Sequence, residues 1–97
     1  MKQFVYRIKD PAGMHARPAG ALATYAKRFD SELSVTLGEK QADGKRLLSL
    51  MSLGATCGAE LTFTISGSDE QMAWEGLRHF CREQLRGVVL DDPSKAT

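Results

Sequence analysis

Three short stretches of this sequence alternate apolar and polar side chains with a period of two, the pattern of a β-strand with one buried face. The clearest covers residues 61–65, where leucine, phenylalanine and isoleucine alternate with two threonines. Residues 4–9 and 32–37 repeat the pattern. Because such strands keep one face in water while helices cover the other, they predict a two-layer α/β sandwich.

The segments between these strands predict helices and one further strand. A first helix is expected from about Ala16 to Arg28, a short polar strand over 40–43, and a short helix over 47–53 that ends at Gly54. A last helix over about 69–86 is predicted to begin with a capping box formed by Ser68 and Gln71. The predicted order is β-α-β-β-α-β-α, and right-handed crossovers would place the helices on one side of the sheet.

Length and charge limit the class of protein. A chain of 97 residues forms one domain, and 42% apolar and 26% charged residues are ordinary for a globular protein. The formal net charge of +1 provides no overall field for nucleic acid or an anionic membrane, and no apolar run has the length of a membrane span. Cys57 and Cys81 lack metal-ligand spacing and are expected to be reduced, although the sequence leaves a disulfide open.

The segment from Gly13 to Gly20 carries the candidate chemistry. His15 stands one residue before the predicted helix, and Pro18 occupies the first turn, where helices tolerate proline best. Unpaired N–H groups and the positive end of the helix dipole favour an anion there, and the guanidinium of Arg17 can hold phosphate oxygens. This arrangement suggests a histidine that carries a phosphoryl group. The other histidine, His79, lies inside the last helix and is expected to be structural or solvated.

Two segments resemble the signatures of the HPr family, the histidine phosphocarriers of the bacterial phosphotransferase system. The sequence Gly-Met-His-Ala-Arg-Pro-Ala at 13–19 is similar to the active-site signature, and residues 45–54 resemble the signature around the short middle helix. The resemblance covers about residues 2–85. It implies an open-faced sandwich with a four-stranded antiparallel sheet and three helices on one face, with a phosphocarrier domain over 1–87 and a flexible tail over 88–97.

The resemblance also implies a function. His15 would accept a phosphoryl group on Nδ1 from phosphorylated Enzyme I, with the backbone N–H groups of Ala16 and Arg17 and the Arg17 side chain on the phosphoryl oxygens. The group would then pass to the A domains of sugar-specific Enzyme II permeases. We expect such a protein to be a carrier rather than an enzyme, to lie in the cytoplasm and to act as a monomer. We expect no cofactor or metal, because no cluster of carboxylates lies near His15 in the sequence.

A docking surface follows from the same two segments. The short middle helix is apolar nearly all round, so one sheet cannot bury all of it. Leu50 and Leu53 are predicted to be core. The family's docking surface maps onto a patch beside His15 made of Ala16, Gly20, Leu47, Leu48 and Met51.

One position departs from the family pattern. Where many relatives carry a regulatory serine at the start of the second helix, this chain has Arg46, which a serine kinase cannot phosphorylate. Control through that serine is therefore not expected. The departure leaves open a regulatory or nitrogen-related phosphorelay paralogue with the same His15 chemistry. Without the resemblance, a non-reactive interaction module also fits the sequence.

Overall fold

A computed structural model describes residues 1–90 of the chain. No helix in this part of the chain is both long and apolar enough to cross a membrane. In chain order the elements are β1 Lys2–Ile8, α1 Ala16–Ala26, β2 Glu32–Leu37, β3 Lys40–Asp43, α2 Leu47–Met51, β4 Glu60–Ser66, α3 Glu70–Gln84 and β5 Gly87–Leu90.

The strands form one antiparallel sheet in the order β3-β2-β4-β1-β5. Alternate residues of β1, β2 and β4 are buried, as the alternation predicted. Phe63 in β4 lies opposite both Phe4 and Val35, and its ring stacks on that of Phe4 at 4.7 Å between centroids. These inward side chains share one hydrophobic core with the buried faces of α1 and α3. The predicted open-faced sandwich is therefore the observed fold.

The sheet has a fifth strand within residues 1–90 that the sequence analysis did not predict. Residues 88–90 were assigned to a flexible tail, but Gly87–Leu90 pairs antiparallel with β1, with Val5 opposite Leu90. The prediction of four strands is therefore wrong. The fifth strand has only four residues and forms by pairing with β1, which lies near the other end of the sequence, so a local pattern does not reveal it. Residues 91–97 of the predicted tail lie outside the described residues.

The predicted capping box at the start of α3 is also wrong. The N-cap residue is Asp69, and its carboxylate accepts hydrogen bonds from the backbone N–H groups of Asp30 and Ser31 and from the Ser31 hydroxyl. Glu70 accepts the N–H of Gly67 at 3.1 Å. The Asp69 side chain thus ties α3 to the loop before β2, and Ser31, a buried polar residue, has its partner there.

The two cysteines have different surroundings. Cys57 is exposed, with its thiol 3.6 Å from the carbonyl oxygen of Lys9, and Cys81 is buried on the inward face of α3. Both are free thiols, as expected. Burial raises the pKa of the Cys81 thiol, which keeps that sulfur protonated and unreactive.

Candidate functional site

The loop between β1 and α1 fixes the backbone of His15. Gly13 donates its N–H to the carbonyl oxygen of Asp10 at 2.9 Å and has a φ of 71°, which closes a tight turn. Met14, buried, then donates its N–H to the carbonyl oxygen of Ala55 at 3.0 Å. His15 follows as the N-cap residue of α1, and its carbonyl oxygen accepts the first helical hydrogen bond, from Ala19. The imidazole is therefore held at the mouth of the helix, as the sequence predicted.

The first turn of α1 leaves donors available at that mouth. Backbone N–H groups of a first helical turn have no acceptor within the helix, which applies here to Ala16 and Arg17, while Pro18 has no N–H. Ala16 and Arg17 are exposed, and no acidic residue stands in this turn. The positive end of the helix dipole thus faces solvent beside His15 and is suited to an anion.

Asp10 is a neighbour of His15 that the sequence did not indicate as a site residue. Its Oδ2 lies 3.2 Å from His15 Nε2, while its Oδ1 accepts the backbone N–H of Ala12 at 2.9 Å. The hydrogen bond from Ala12 lowers the pKa of Asp10, with further lowering by His15 and by the positive charge of Arg86. Asp10 is therefore an ionised carboxylate. The signal for it was an aspartate at the start of a turn that ends at the histidine.

The site opens into a shallow pocket of about 320 Å³. The end of α3 and the two residues that precede β5 form one wall, which is tied to the turn before His15 because the carbonyl oxygen of Arg86 accepts the N–H groups of both Lys9 and Asp10. Arg86 therefore adds a second guanidinium to that of Arg17. No local sequence pattern indicated this wall, since it depends on β5. The lining residues are Asp10, His15, Arg17, Pro18, Ala21, Gln84, Leu85 and Arg86.

The short helix α2 presents apolar side chains next to α1. The exposed fractions are 38% for Leu47, 78% for Leu48 and 39% for Met51, whereas Leu50 and Leu53 are buried, as predicted. A β-carbon on Gly20 would lie 3.9 Å from Leu47 Cδ1, so the two helices approach closely where α1 has no side chain. We call Ala16, Gly20, Leu47, Leu48 and Met51 the docking patch. Its role in binding a partner stays a prediction.

The remaining candidates lie away from His15 or have structural partners. Arg46 is exposed at the N-cap of α2. Ser49 accepts the N–H of Asp43, and Ser52 donates its hydroxyl to the carbonyl oxygen of Ser49. His79 is exposed on α3 and lines a different groove, with Tyr25. No group of three or more potential metal ligands occurs within residues 1–90.

The fold and this site define a class of protein: a small open-faced sandwich with a partly exposed histidine capping its first helix. A model of the family described as "PTS HPr component phosphorylation site" matches residues 2–83. The chain therefore belongs to the HPr family of the phosphotransferase system, whose members carry a phosphoryl group rather than act as catalysts.

Three similar proteins support this assignment. The phosphocarrier protein HPr of Lysinibacillus sphaericus is 39% identical over 77 residues, which are 79% of this chain and 88% of that protein. The solved structure of a mycoplasma histidine-containing phosphocarrier protein superposes with a TM-score of 0.79 and 31% identity, covering 82% of this chain and 91% of that one. An HPr dimer from Thermoanaerobacter tengcongensis gives a TM-score of 0.67 and 31% identity, with 80% and 90% covered.

Proposed function

We propose that this chain accepts a phosphoryl group on His15 from phosphorylated Enzyme I and passes it to the A domains of sugar-specific Enzyme II permeases. The observation that carries the proposal is the position of His15, at the N-cap of α1, beside the free amides of the first turn. The side chain is 39% exposed, which leaves it open to a second protein. Family membership supports the same chemistry.

The surroundings of His15 suit a transient phosphoryl group. Transfer depends mainly on position and on compensation of charge over three phosphoryl oxygens. The N–H groups of Ala16 and Arg17 and the guanidinium of Arg17 would provide that compensation. Arg17 and Arg86 are both exposed, so their hold on the phosphate is weakened by solvent. A carrier that must release its phosphate benefits from such moderate binding.

The docking patch would provide the contact with both partners. Its exposed apolar side chains flank α1, the helix that His15 caps, so a partner that covers them would come close to His15. A small, flat apolar surface suits an interface that forms and separates quickly. We expect the chain to act as a cytoplasmic monomer, which sedimentation would test, since a related HPr has been solved as a dimer.

Because Arg46 stands where many relatives carry a regulatory serine, we do not expect this chain to be regulated by phosphorylation of that serine. Arg46 occupies the N-cap of α2 with an exposed, positively charged side chain at the edge of the docking patch. A partner selected for this surface would tolerate or pair with a cation, unlike one selected for phosphoserine. A regulatory or nitrogen-related phosphorelay that uses the same His15 chemistry is the second candidate that Arg46 supports.

Labelling with phosphoenolpyruvate and Enzyme I tests the proposal. The purified chain should acquire acid-labile, base-stable label only when Enzyme I is present, and a purified A domain should then remove it. The same labelling with a nitrogen-related Enzyme I tests the second candidate, which predicts that this Enzyme I phosphorylates the chain. A chain that binds Enzyme I but never acquires label would contradict the carrier function and support an interaction module.

A further inference from the structure

The carboxylate of Asp10 is held in place by contacts that do not involve His15. Oδ1 accepts the N–H of Ala12, which forms an Asx turn, and the backbone N–H of Asp10 donates to the carbonyl oxygen of Arg86 at 3.1 Å. The side chain is 20% exposed. Oδ2 is therefore the oxygen left to face the imidazole, at 3.2 Å from Nε2. A carboxylate held in this position can select the tautomer of the neighbouring imidazole.

A neutral imidazole carries one N–H, on either Nδ1 or Nε2. An ionised carboxylate only accepts hydrogen bonds, so Asp10 stabilises the form with the proton on Nε2. The Nδ1 atom is then left with a lone pair. From this geometry we infer that Asp10 is a positioning residue, which fixes the Nε2–H tautomer of His15 so that Nδ1 receives the phosphoryl group. The inference deepens the proposed function and rests on it for the transfer step.

The transfer balances without a proton leaving the ring. The Nδ1 lone pair forms the N–P bond while the bond from phosphorus to the donor protein breaks, and its electron pair stays with the donor. The ring then carries the Nε2–H and a positive charge beside the Asp10 carboxylate. On onward transfer the N–P pair returns to Nδ1 and the ring is neutral again. Asp10 thus also stabilises the positive charge that the ring carries while the phosphoryl group is bound.

No other charged side chain among the pocket's lining residues can accept a hydrogen bond from His15 Nε2–H. Arg17 and Arg86 are the cations among the lining residues, and both can only donate. Asp10 is the single acidic residue that lines the pocket within residues 1–90. The hydrogen bond from Ala12, and to a smaller extent the positive charge of Arg86, lowers the pKa of Asp10, which keeps the carboxylate ionised and available to Nε2.

Nitrogen-15 NMR of the imidazole in the unphosphorylated chain tests the inference directly. At about pH 8.5, well above the ordinary imidazole pKa of ~6.5, the shifts of Nδ1 and Nε2 report the tautomer. We expect the Nε2–H form in the natural chain. Asp10→Asn and Asp10→Ala should raise the ratio of Nδ1–H to Nε2–H about three- to fivefold, the effect of losing one partly exposed charged hydrogen bond.

Asp43→Asn is the matched control. Asp43 also stands at the start of a turn, at the end of β3, where its Oδ1 accepts the N–H of Lys45 at 2.9 Å, but it has no hydrogen bond to a histidine. This variant should leave the His15 shifts unchanged. The initial rate of phosphorylation by Enzyme I should fall about three- to fivefold in Asp10→Asn and stay the same in Asp43→Asn.

Two results would overturn the inference. One is an Nδ1–H tautomer in the natural chain, and the other is a tautomer ratio in both Asp10 variants equal to that of the natural chain. Because the NMR measurement needs no phosphorylation, it separates this inference from the proposed function. A natural chain with the expected tautomer that accepts no phosphoryl group would contradict the proposed function alone.

Discussion

The carbonyl oxygen of Arg86 accepts the backbone N–H of Asp10 at 3.1 Å, and this bond joins the end of the last helix to the turn that holds His15. The same oxygen accepts the N–H of Lys9 at 2.9 Å. Immediately after Arg86, the chain enters β5 and pairs with β1. The fifth strand is therefore part of the support of the site, and it places a second cation at the pocket.

Gly13→Ala should destabilise the chain and disturb the site. Gly13 has a φ of 71°, and a β-carbon there would lie 2.4 Å from the carbonyl oxygen of Ala55. We expect a loss of about 2–4 kcal/mol in the free energy of unfolding, from the left-handed backbone and the clash together. Urea titration measures this loss, and labelling by Enzyme I should slow as His15 shifts.

Gly38→Ala is the control for the backbone effect alone. Gly38 has a φ of 60°, but a β-carbon there would meet no atom within 4 Å. Its cost should be about 1 kcal/mol. Equal losses in the two variants would show that the contact between Gly13 and the 55–56 loop does not constrain the site.

Leu48→Asp should reduce the affinity for Enzyme I while leaving the fold intact. Leu48 is 78% exposed, so the change should alter the free energy of unfolding by only about ±0.5 kcal/mol. The new carboxylate would have to be desolvated at the centre of an apolar interface, which is unfavourable. Met51→Asp should act in the same direction. Calorimetric titration with Enzyme I, beside thermal melts, measures both effects.

Two further variants, Met72→Asp and Leu50→Asp, are the controls for that experiment. Met72 is 66% exposed on α3, outside the docking patch, so its variant should bind Enzyme I normally. Leu50 is fully buried, and an unpaired charge there should unfold the chain. If Leu48→Asp and Met51→Asp both bind Enzyme I with normal affinity, α2 is not part of the surface that binds Enzyme I.

Arg17→Lys should slow phosphoryl transfer about tenfold, the effect of one lost charged hydrogen bond. Lysine keeps the charge but lacks the planar pair of donors that fits phosphate oxygens. Binding of Enzyme I should weaken less than the rate falls. Arg28→Lys is the control, since Arg28 lies near the other end of α1, over the ring of Tyr25. Rapid-quench kinetics with identical rates for Arg17→Lys and the natural chain would reduce Arg17 to a surface charge.

Acid should destabilise the chain partly through Asp69. The Ser31 hydroxyl, followed by the N–H groups of Asp30 and Ser31, holds the pKa of Asp69 below its ordinary value. A depressed pKa in the folded state contributes stability above the unfolded pKa of about 3.9, and this contribution is lost as the pH falls through the folded value. The melting temperature should therefore drop below about pH 4, and less steeply in Asp69→Asn.

Glu39→Gln controls for the loss of one negative charge. Glu39 is exposed in the turn between β2 and β3. The melting temperature of its variant should therefore depend on pH in the same way as that of the natural chain. If Asp69→Asn also gave a parallel curve between about pH 3 and 5, the Asp69–Ser31 contact would not be a source of acid sensitivity.

The local pattern of the sequence predicted most elements because each has its own signal. Alternation marked β1, β2 and β4, and Pro18 marked the first turn of α1. These features depend on neighbours within a few residues, so a single sequence contains them.

Long-range pairing explains what the sequence did not reveal. β5 is short and forms by pairing with the adjacent strand β1, where Val5 lies opposite Leu90. The wall formed by Arg86 depends on that pairing. Asp69, rather than the predicted Ser68, is the N-cap residue of α3, and its side chain binds Ser31, 38 residues away. The contact between Asp10 and His15 likewise depends on how the turn between β1 and α1 folds back.

Mapping the phosphorylated residue tests the central claim most directly. The natural chain, His15→Ala and His79→Ala are each incubated with Enzyme I and phosphoenolpyruvate, and the modified peptide is identified by mass spectrometry under alkaline conditions. His15 caps α1 through its backbone and is partly exposed, so His15→Ala should fold normally, which thermal melts verify. We expect one phosphoryl group on His15 in the natural chain and in His79→Ala, and none in His15→Ala. A folded His15→Ala that still acquires the label, or a label on His79 in the natural chain, would contradict the account.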